Sequence, residues 1–137
     1  MELRALIIKR LKDCGEIAAG DRTRLRELLH PARDAVDVRY SLAVVWLAPG
    51  KQSLAHQLKT AEVYYVVRGR GVMHIGSEAA GVVAGDAVYI PPDSVQWLEN
   101  NGRDDIEFIC VVDPAWRPED ETILTQRNAG PGLPGPA

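Results

Sequence analysis

From residue 39 onward the hydrophobic positions fall into short runs, each closed by turn-forming residues. Tyr40 to Leu47 is rich in Val, Leu and Trp and ends at Pro49-Gly50. Glu62 to Val67 ends at Gly69-Arg70-Gly71, and Val72 to Ile75 ends at Gly76-Ser77. Ala80 to Val83, Ala87 to Ile90, Val95 to Leu98 and Ile106 to Val112 follow, bounded by Gly, Pro, Asn or Asp. Short β-branched and aromatic runs at this spacing predict an all-β sandwich or barrel. No segment has the long 3.6-residue periodicity that parallel βαβ units need. Side chains alternate across a strand, so Glu62, Tyr64 and Val66 share one face, as do Gln96 and Leu98. Upstream, Leu25, Leu28 and Leu29 fit one face of a short helix, but Pro31 stops the pattern after about two turns and a strand is expected there. Arg117 to Arg127 is polar, with room for a turn of helix. The Gly/Pro-rich stretch 128–137 is expected to be flexible. The chain thus divides into an N-terminal extension (1–38) packing on the barrel, a barrel core (39–116) and a C-terminal segment (117–137).

The chain's 137 residues, 46% of them hydrophobic, make one domain able to bury a core without disulfides. A formal net charge of -3 offers no broad basic surface for nucleic acid. The apolar runs fall far short of the roughly 20 residues that span a bilayer. Charged Glu2, Arg4, Lys9 and Arg10 interrupt the N-terminal apolar residues, against a secretory leader. Cys14 and Cys110 lie far apart without a CxxC pattern and are expected as reduced thiols in a cytoplasmic protein.

Two segments carry the chemistry. Gly50 is followed after five residues by His56, then Glu62, then Gly69; Gly85 is followed after five residues by Pro91, then Gln96, then Asn100. This register resembles the two sequence motifs of the cupin family across roughly residues 40 to 113. The resemblance implies a double-stranded β-helix, or jelly-roll barrel, and a metal site of three His and one Glu. The chain departs from that set at two ligands: Leu58 stands at the second His of the first motif and Gln96 at the His of the second. Asp93 also replaces a motif glycine. The implied metal set is therefore reduced to His56, Glu62 and Gln96, an oxygen-rich group suited to Mn²⁺, Fe²⁺ or Zn²⁺. A metal-free alternative stands beside it, in which Gln96 is a buried hydrogen-bonder and His56 and Glu62 hydrogen-bond each other.

Tyr64 shares Glu62's face, and Cys110 with Phe108 is expected to face the same cavity. Tyr64, Gln96 and Cys110 are the candidate substrate-binding residues, and Glu62 and Tyr64 the candidate proton-transfer groups. His74 should point outward if Met73 and Ile75 point inward, and His30 is expected in a surface or capping role. Trp46, Trp97 and Trp116 are expected in the core or at an interface between subunits. Val63, Tyr65, Val67, Val95 and Trp97 make two outward faces too apolar for solvent, which predicts burial against the N-terminal segment or a homodimer. Arg68-Gly69-Arg70-Gly71 reads as a hairpin turn. The functional expectation is a divalent-metal-binding protein with a pocket for a small polar metabolite. Small cupins of this kind suggest isomerase, epimerase or lyase chemistry on a sugar or organic acid. The alternative is a metal-free module that binds the same class of molecule without turnover.

Overall fold

A computed structural model describes residues 6–124, so the expected flexibility of 128–137 falls outside the described residues. Eleven strands run β1 (Glu16–Ala18), β2 (Arg24–Leu29), β3 (Ser41–Leu47), β4 (His56–Leu58), β5 (Ala61–Arg68), β6 (Arg70–Ile75), β7 (Glu78–Val83), β8 (Ala87–Ile90), β9 (Gln96–Glu99), β10 (Ile106–Asp113) and β11 (Glu121–Ile123). They form two antiparallel sheets, ordered β1-β2-β3-β10-β5-β8 and β11-β4-β9-β6-β7. This is the all-β jelly-roll sandwich the sequence predicts. The Thr23–His30 segment is a strand as expected, pairing with β3 and carrying β1 outside it. No helix of the described residues is long and apolar enough to cross a membrane.

Alternation assigns each face. In β5 the buried positions are Glu62, Tyr64 and Val66, while Val63, Tyr65 and Val67 look outward. In β10 the buried residues are Ile106, Phe108 and Val112. Val45, Leu47, Val66, Met73, Val82, Leu98, Ile106 and Phe108 pack together between the sheets. Apolar burial of this kind contributes about 25 cal/mol per Å² removed from water. The same strands then run past this packed core. Towards the β5 and β10 ends that carry Glu62 and Val112, the inward side chains line open space instead.

Arg68-Gly69-Arg70-Gly71 is the turn from β5 into β6. Gly69 takes φ +87, and a Cβ there would lie 2.5 Å from the Asp105 carbonyl oxygen. Both the left-handed backbone and this close approach select glycine.

His74 points away from the core and stacks on Trp97, with ring centroids 4.3 Å apart. Trp97 is only 1% exposed, so this outward face is covered within the chain itself. The other face stays bare: Val63, Tyr65, Val67 and Tyr89 are each 38% or more exposed. We propose that a second copy of the chain covers it. Sedimentation at micromolar protein is expected to show twice the 15.0 kDa chain mass. A purely monomeric species would count against it.

The C-terminal segment holds more structure than its polarity suggests. Pro118–Asp120 is the expected helical turn, of 3-10 type, and Arg117 at its start donates to the Asp120 carboxylate at its end at 3.0 and 2.8 Å. Beyond it β11 joins the edge of β4, locked by Lys59 N–H to Asp120 O and Leu124 N–H to Ala55 O. The segment 117–124 is thus part of the second sheet, and it brings Glu121 opposite Leu58.

Candidate functional site

The loop after β3 places His56. Gly50 N–H donates to Asn100 O and Asn100 N–H to Lys51 O, both at 2.9 Å. Ser53 continues the ladder to Leu98 through backbone and hydroxyl. The chain therefore enters β4 already aligned to β9, and His56 pairs with Gln96. Asn100, which closes the second motif, is structural. Its amide donates to Leu47 O and Asp104 O and accepts from Gly102 N–H.

His56, Leu58, Glu62, Tyr64, Phe108, Cys110 and Val112 line a cavity of about 660 Å³. The inferred inward faces of Phe108 and Cys110 are observed. Asp21, Trp116 and Glu121 complete the polar wall, and the 9–20 segment forms part of its rim.

His56 is 3% exposed. Its Nδ1 lies 2.8 Å from the Leu54 carbonyl. A carbonyl only accepts, so Nδ1 is the donor of this bond and Nε2 is the ring nitrogen left over. That nitrogen makes no hydrogen bond to the described residues and stands 3.7 Å from Asp21 Oδ2. Asp21 is itself fixed, since Oδ1 accepts from Thr23 Oγ1 at 2.6 Å and from Thr23 N–H at 3.2 Å. Its own carbonyl accepts from Leu54 N–H. Leu54 thereby ties the two residues into one unit.

Glu62 and His56 do not hydrogen-bond each other. Glu62 Oε1 accepts from Gln96 Nε2 at 2.5 Å and Oε2 from the Cys110 thiol at 3.2 Å. Gln96 Oε1 in turn accepts from the Tyr64 hydroxyl at 2.8 Å. Burial is the largest influence on Glu62 and holds its carboxyl above the usual range, against the opposing pull of His56 and the two hydrogen bonds. Glu121 is raised too, by burial first and by the charges of Asp21 and Glu62. Burial likewise lifts the Cys110 thiol and the Tyr64 hydroxyl, with Glu62's charge adding to both. Both are therefore neutral donors.

These bonds decide the fit of a metal. Gln96 lies behind the cavity wall, its oxygen given to Tyr64 and its nitrogen to Glu62. Leu58 presents a buried apolar side chain beside His56. Among the described residues no three His, Cys, Asp or Glu side chains converge to hold a metal ion. His56, Glu62 and Gln96 lie near one another, but Gln96 is bonded to Glu62 and Tyr64 behind the cavity and His56 hydrogen-bonds neither of them, so the three do not form a ligand shell. The residues do not fit the ion that the resemblance implies.

The other weighed residues take structural roles. His30 accepts from Ala32 N–H at Nδ1 and donates from Nε2 to Trp116 O. Trp46 donates to Glu107. Trp116, by contrast, reaches the cavity and hydrogen-bonds Glu121.

A cupin domain model matches residues 43–112. The chain belongs to the cupin family. An uncharacterized protein of Methanocaldococcus jannaschii is 37% identical over 105 residues, 76% of this chain and 83% of that protein. An oxalate-binding protein of Thermotoga maritima is 31% identical over 67 residues, 48% of this chain and 55% of that protein. Among solved structures, a predicted oxalate decarboxylase of T. maritima superposes with TM-score 0.70 at 22% identity, covering 79% of this chain and 99% of its own. A Streptomyces nucleoside dehydratase with uridine gives TM-score 0.69 at 20% identity, covering 88% and 92%. As a cupin, this chain has the barrel and, of the motif positions, His56 and Glu62, with Leu58 and Gln96 at the other two.

A sign for stability follows from the Glu62 carboxyl. Its folded pKa is raised, so the folded state holds a proton that the unfolded chain gives up as pH rises past the ordinary carboxyl range. Stability attached to this group is present at low pH and lost as pH rises through the folded value. Glu62→Gln, neutral at every pH, is therefore expected to raise the melting temperature by a few degrees at pH 8 and by less at pH 4.5. Melting curves at the two pH values check this.

Proposed function

We propose that this cupin is a metal-independent acid–base pocket that moves a proton on a small hydroxylated metabolite, in the manner of an isomerase, epimerase or lyase. One observation carries the reading. His56, its Nδ1 fixed on Leu54 O and its Nε2 without a hydrogen bond among the described residues, shares the cavity with Glu62, a carboxyl whose pKa burial raises. Two titratable groups with environments that separate their protonation states make an acid–base pair. His56 Nε2 is the base, oriented by Leu54 O, with Asp21 close enough to stabilise the imidazolium that forms. Glu62 is the acid, and Gln96 and Cys110 fix its two oxygens. Tyr64 supports the pair from behind through Gln96.

The fold resemblance to a nucleoside dehydratase is compatible with elimination chemistry in such a barrel. Likeness to an oxalate-binding protein and a predicted oxalate decarboxylase points instead to an organic acid as ligand. The test is solvent exchange. Chelator-treated protein is incubated in D₂O with keto sugars, nucleosides and small organic acids, and carbon-bound proton signals are followed by NMR. Deuterium entry or elimination that persists in chelator supports the reading. Activity only after Mn²⁺, Fe²⁺ or Zn²⁺ is added back would favour the metal-dependent alternative. Binding without any exchange would leave a non-catalytic module.

A further inference from the structure

The donors and acceptors around the cavity are unequally used. The Tyr64 hydroxyl is given to Gln96, the Cys110 thiol to Glu62 and the Thr23 hydroxyl to Asp21. The Trp116 indole is given to Glu121. The two cations of the lining are also committed, Lys9 to Asp34 at 2.8 Å and Arg33 to Glu27 at 2.5 Å. Among the described residues, what remains for a ligand is mainly acceptor capacity: Asp21 Oδ2, the Glu121 carboxyl, the remaining lone pairs of Glu62 and His56 Nε2, which stands 3.7 Å from Asp21 Oδ2; the Ser41 hydroxyl, which accepts from Trp116 N–H, keeps a proton to donate. His56 is 3% exposed and lines the cavity, and its Nε2 has no hydrogen bond among the described residues. Among the described residues an anion would meet carboxylates with no unpaired Lys or Arg of the lining to receive it, and unpaired buried charge is costly.

We infer that the cavity takes a ligand carrying a protonated amine beside hydroxyl groups, such as an amino sugar, with the ammonium held by Asp21 and Glu121 and the hydroxyls by His56 and Glu62. This rests on the reading of the cavity as the ligand site and narrows its ligand from sugar or acid to a hydroxylated cation. Charge-assisted hydrogen bonds from an ammonium to carboxylates are about twice as strong as neutral ones.

D-Glucosamine, D-glucose and D-glucuronate share one ring and differ in charge. Calorimetry on the full chain with these three probes reads the preference directly. Glucosamine is expected to bind about tenfold or more tightly than glucose, with no measurable binding of glucuronate. Asp21→Asn and Glu121→Gln are each expected to reduce that preference. Should Asp21→Asn fail to fold, Glu121→Gln at the barrel edge reads the same preference. Equal binding of glucose and glucosamine, tighter binding of glucuronate, no binding of any of the three, or a preference untouched by Glu121→Gln overturns the inference. The D₂O exchange experiment separates the two proposals. A glucosamine preference without exchange keeps the ligand class and removes the proton-transfer reading, while exchange on a neutral or acidic probe alone does the reverse.

Discussion

Leu58→His is expected to create a divalent-metal site, raising affinity for Zn²⁺ or Mn²⁺ by about tenfold or more over the wild-type chain. Leu58 and His56 are alternate residues of β4, both buried and both lining the cavity. Side chains two apart on a strand stand on one face, so the new imidazole rises beside the old one. Glu62 lies across the same space, and Glu121 pairs with position 58 from β11. The variant would thus offer two nitrogens and a carboxylate where the wild type offers one nitrogen and carboxylates. Imidazole is a far better ligand for Zn²⁺ than an amide oxygen already spent on Tyr64. Calorimetric titration with Zn²⁺ and Mn²⁺ gives the answer directly. Unchanged affinity would mean that the apolar residue at 58 is not what keeps metal out.

That substitution also shows which part of the site could be read from the chain. The barrel was legible because its strands obey period-two alternation and its turns carry Gly, Pro and Asn at the positions that need them. The motif register placed His56, Glu62 and Gln96 together, and β5 alternation put Tyr64 with them. What Gln96 does could not be read this way. An amide presents both a donor and an acceptor, and only the positions of Tyr64 and Glu62 decide which atom faces which. Asp21 and Glu121 were missed for a different reason. They lie outside both motifs, in the β1–β2 loop and a short edge strand, and reach the cavity through pairings of high sequence separation. The Asp21-Arg22-Thr23 run was a faint signal, since an Asp with a Thr two residues on commonly closes a turn through its side chain. Glu121-Thr122-Ile123 was a fainter one, a β-branched pair in an otherwise polar segment. Likewise Trp97's outward position was readable, but its cover by His74 was not, because the stack joins residues on different strands.

The metal reading and the acid–base reading differ in what they ask of Glu62. A ligand carboxylate must be ionised, whereas a general acid must hold a proton. Burial is the largest influence on this carboxyl and raises its pKa, while Gln96, its amide oxygen turned to Tyr64, gives it a donor on one side and Cys110 gives another.

His56→Gln is expected to lower proton exchange or elimination on the true substrate by about a hundredfold or more, the range over which a positioned acid or base acts. The amide keeps the size and a donor for the Leu54 carbonyl, but it has no lone pair basic enough to take a proton. Ligand binding should weaken far less, because Asp21, Glu121 and Glu62 retain their acceptors. Asp21→Asn should act through His56 instead of directly. It removes the charge that stabilises the imidazolium at 3.7 Å and leaves the Nδ1 bond to Leu54 O in place, so its loss should be smaller, about tenfold. Glu62→Gln should match His56→Gln in its effect on rate, since a glutamine donates a hydrogen bond but not a proton, while it raises stability at pH 8. The pattern is read from kcat and KM for the three variants beside their melting temperatures. A large loss in KM with kcat intact for His56→Gln would make His56 a binding group only, and equal losses in all three variants accompanied by unfolding would remove the acid–base assignment altogether.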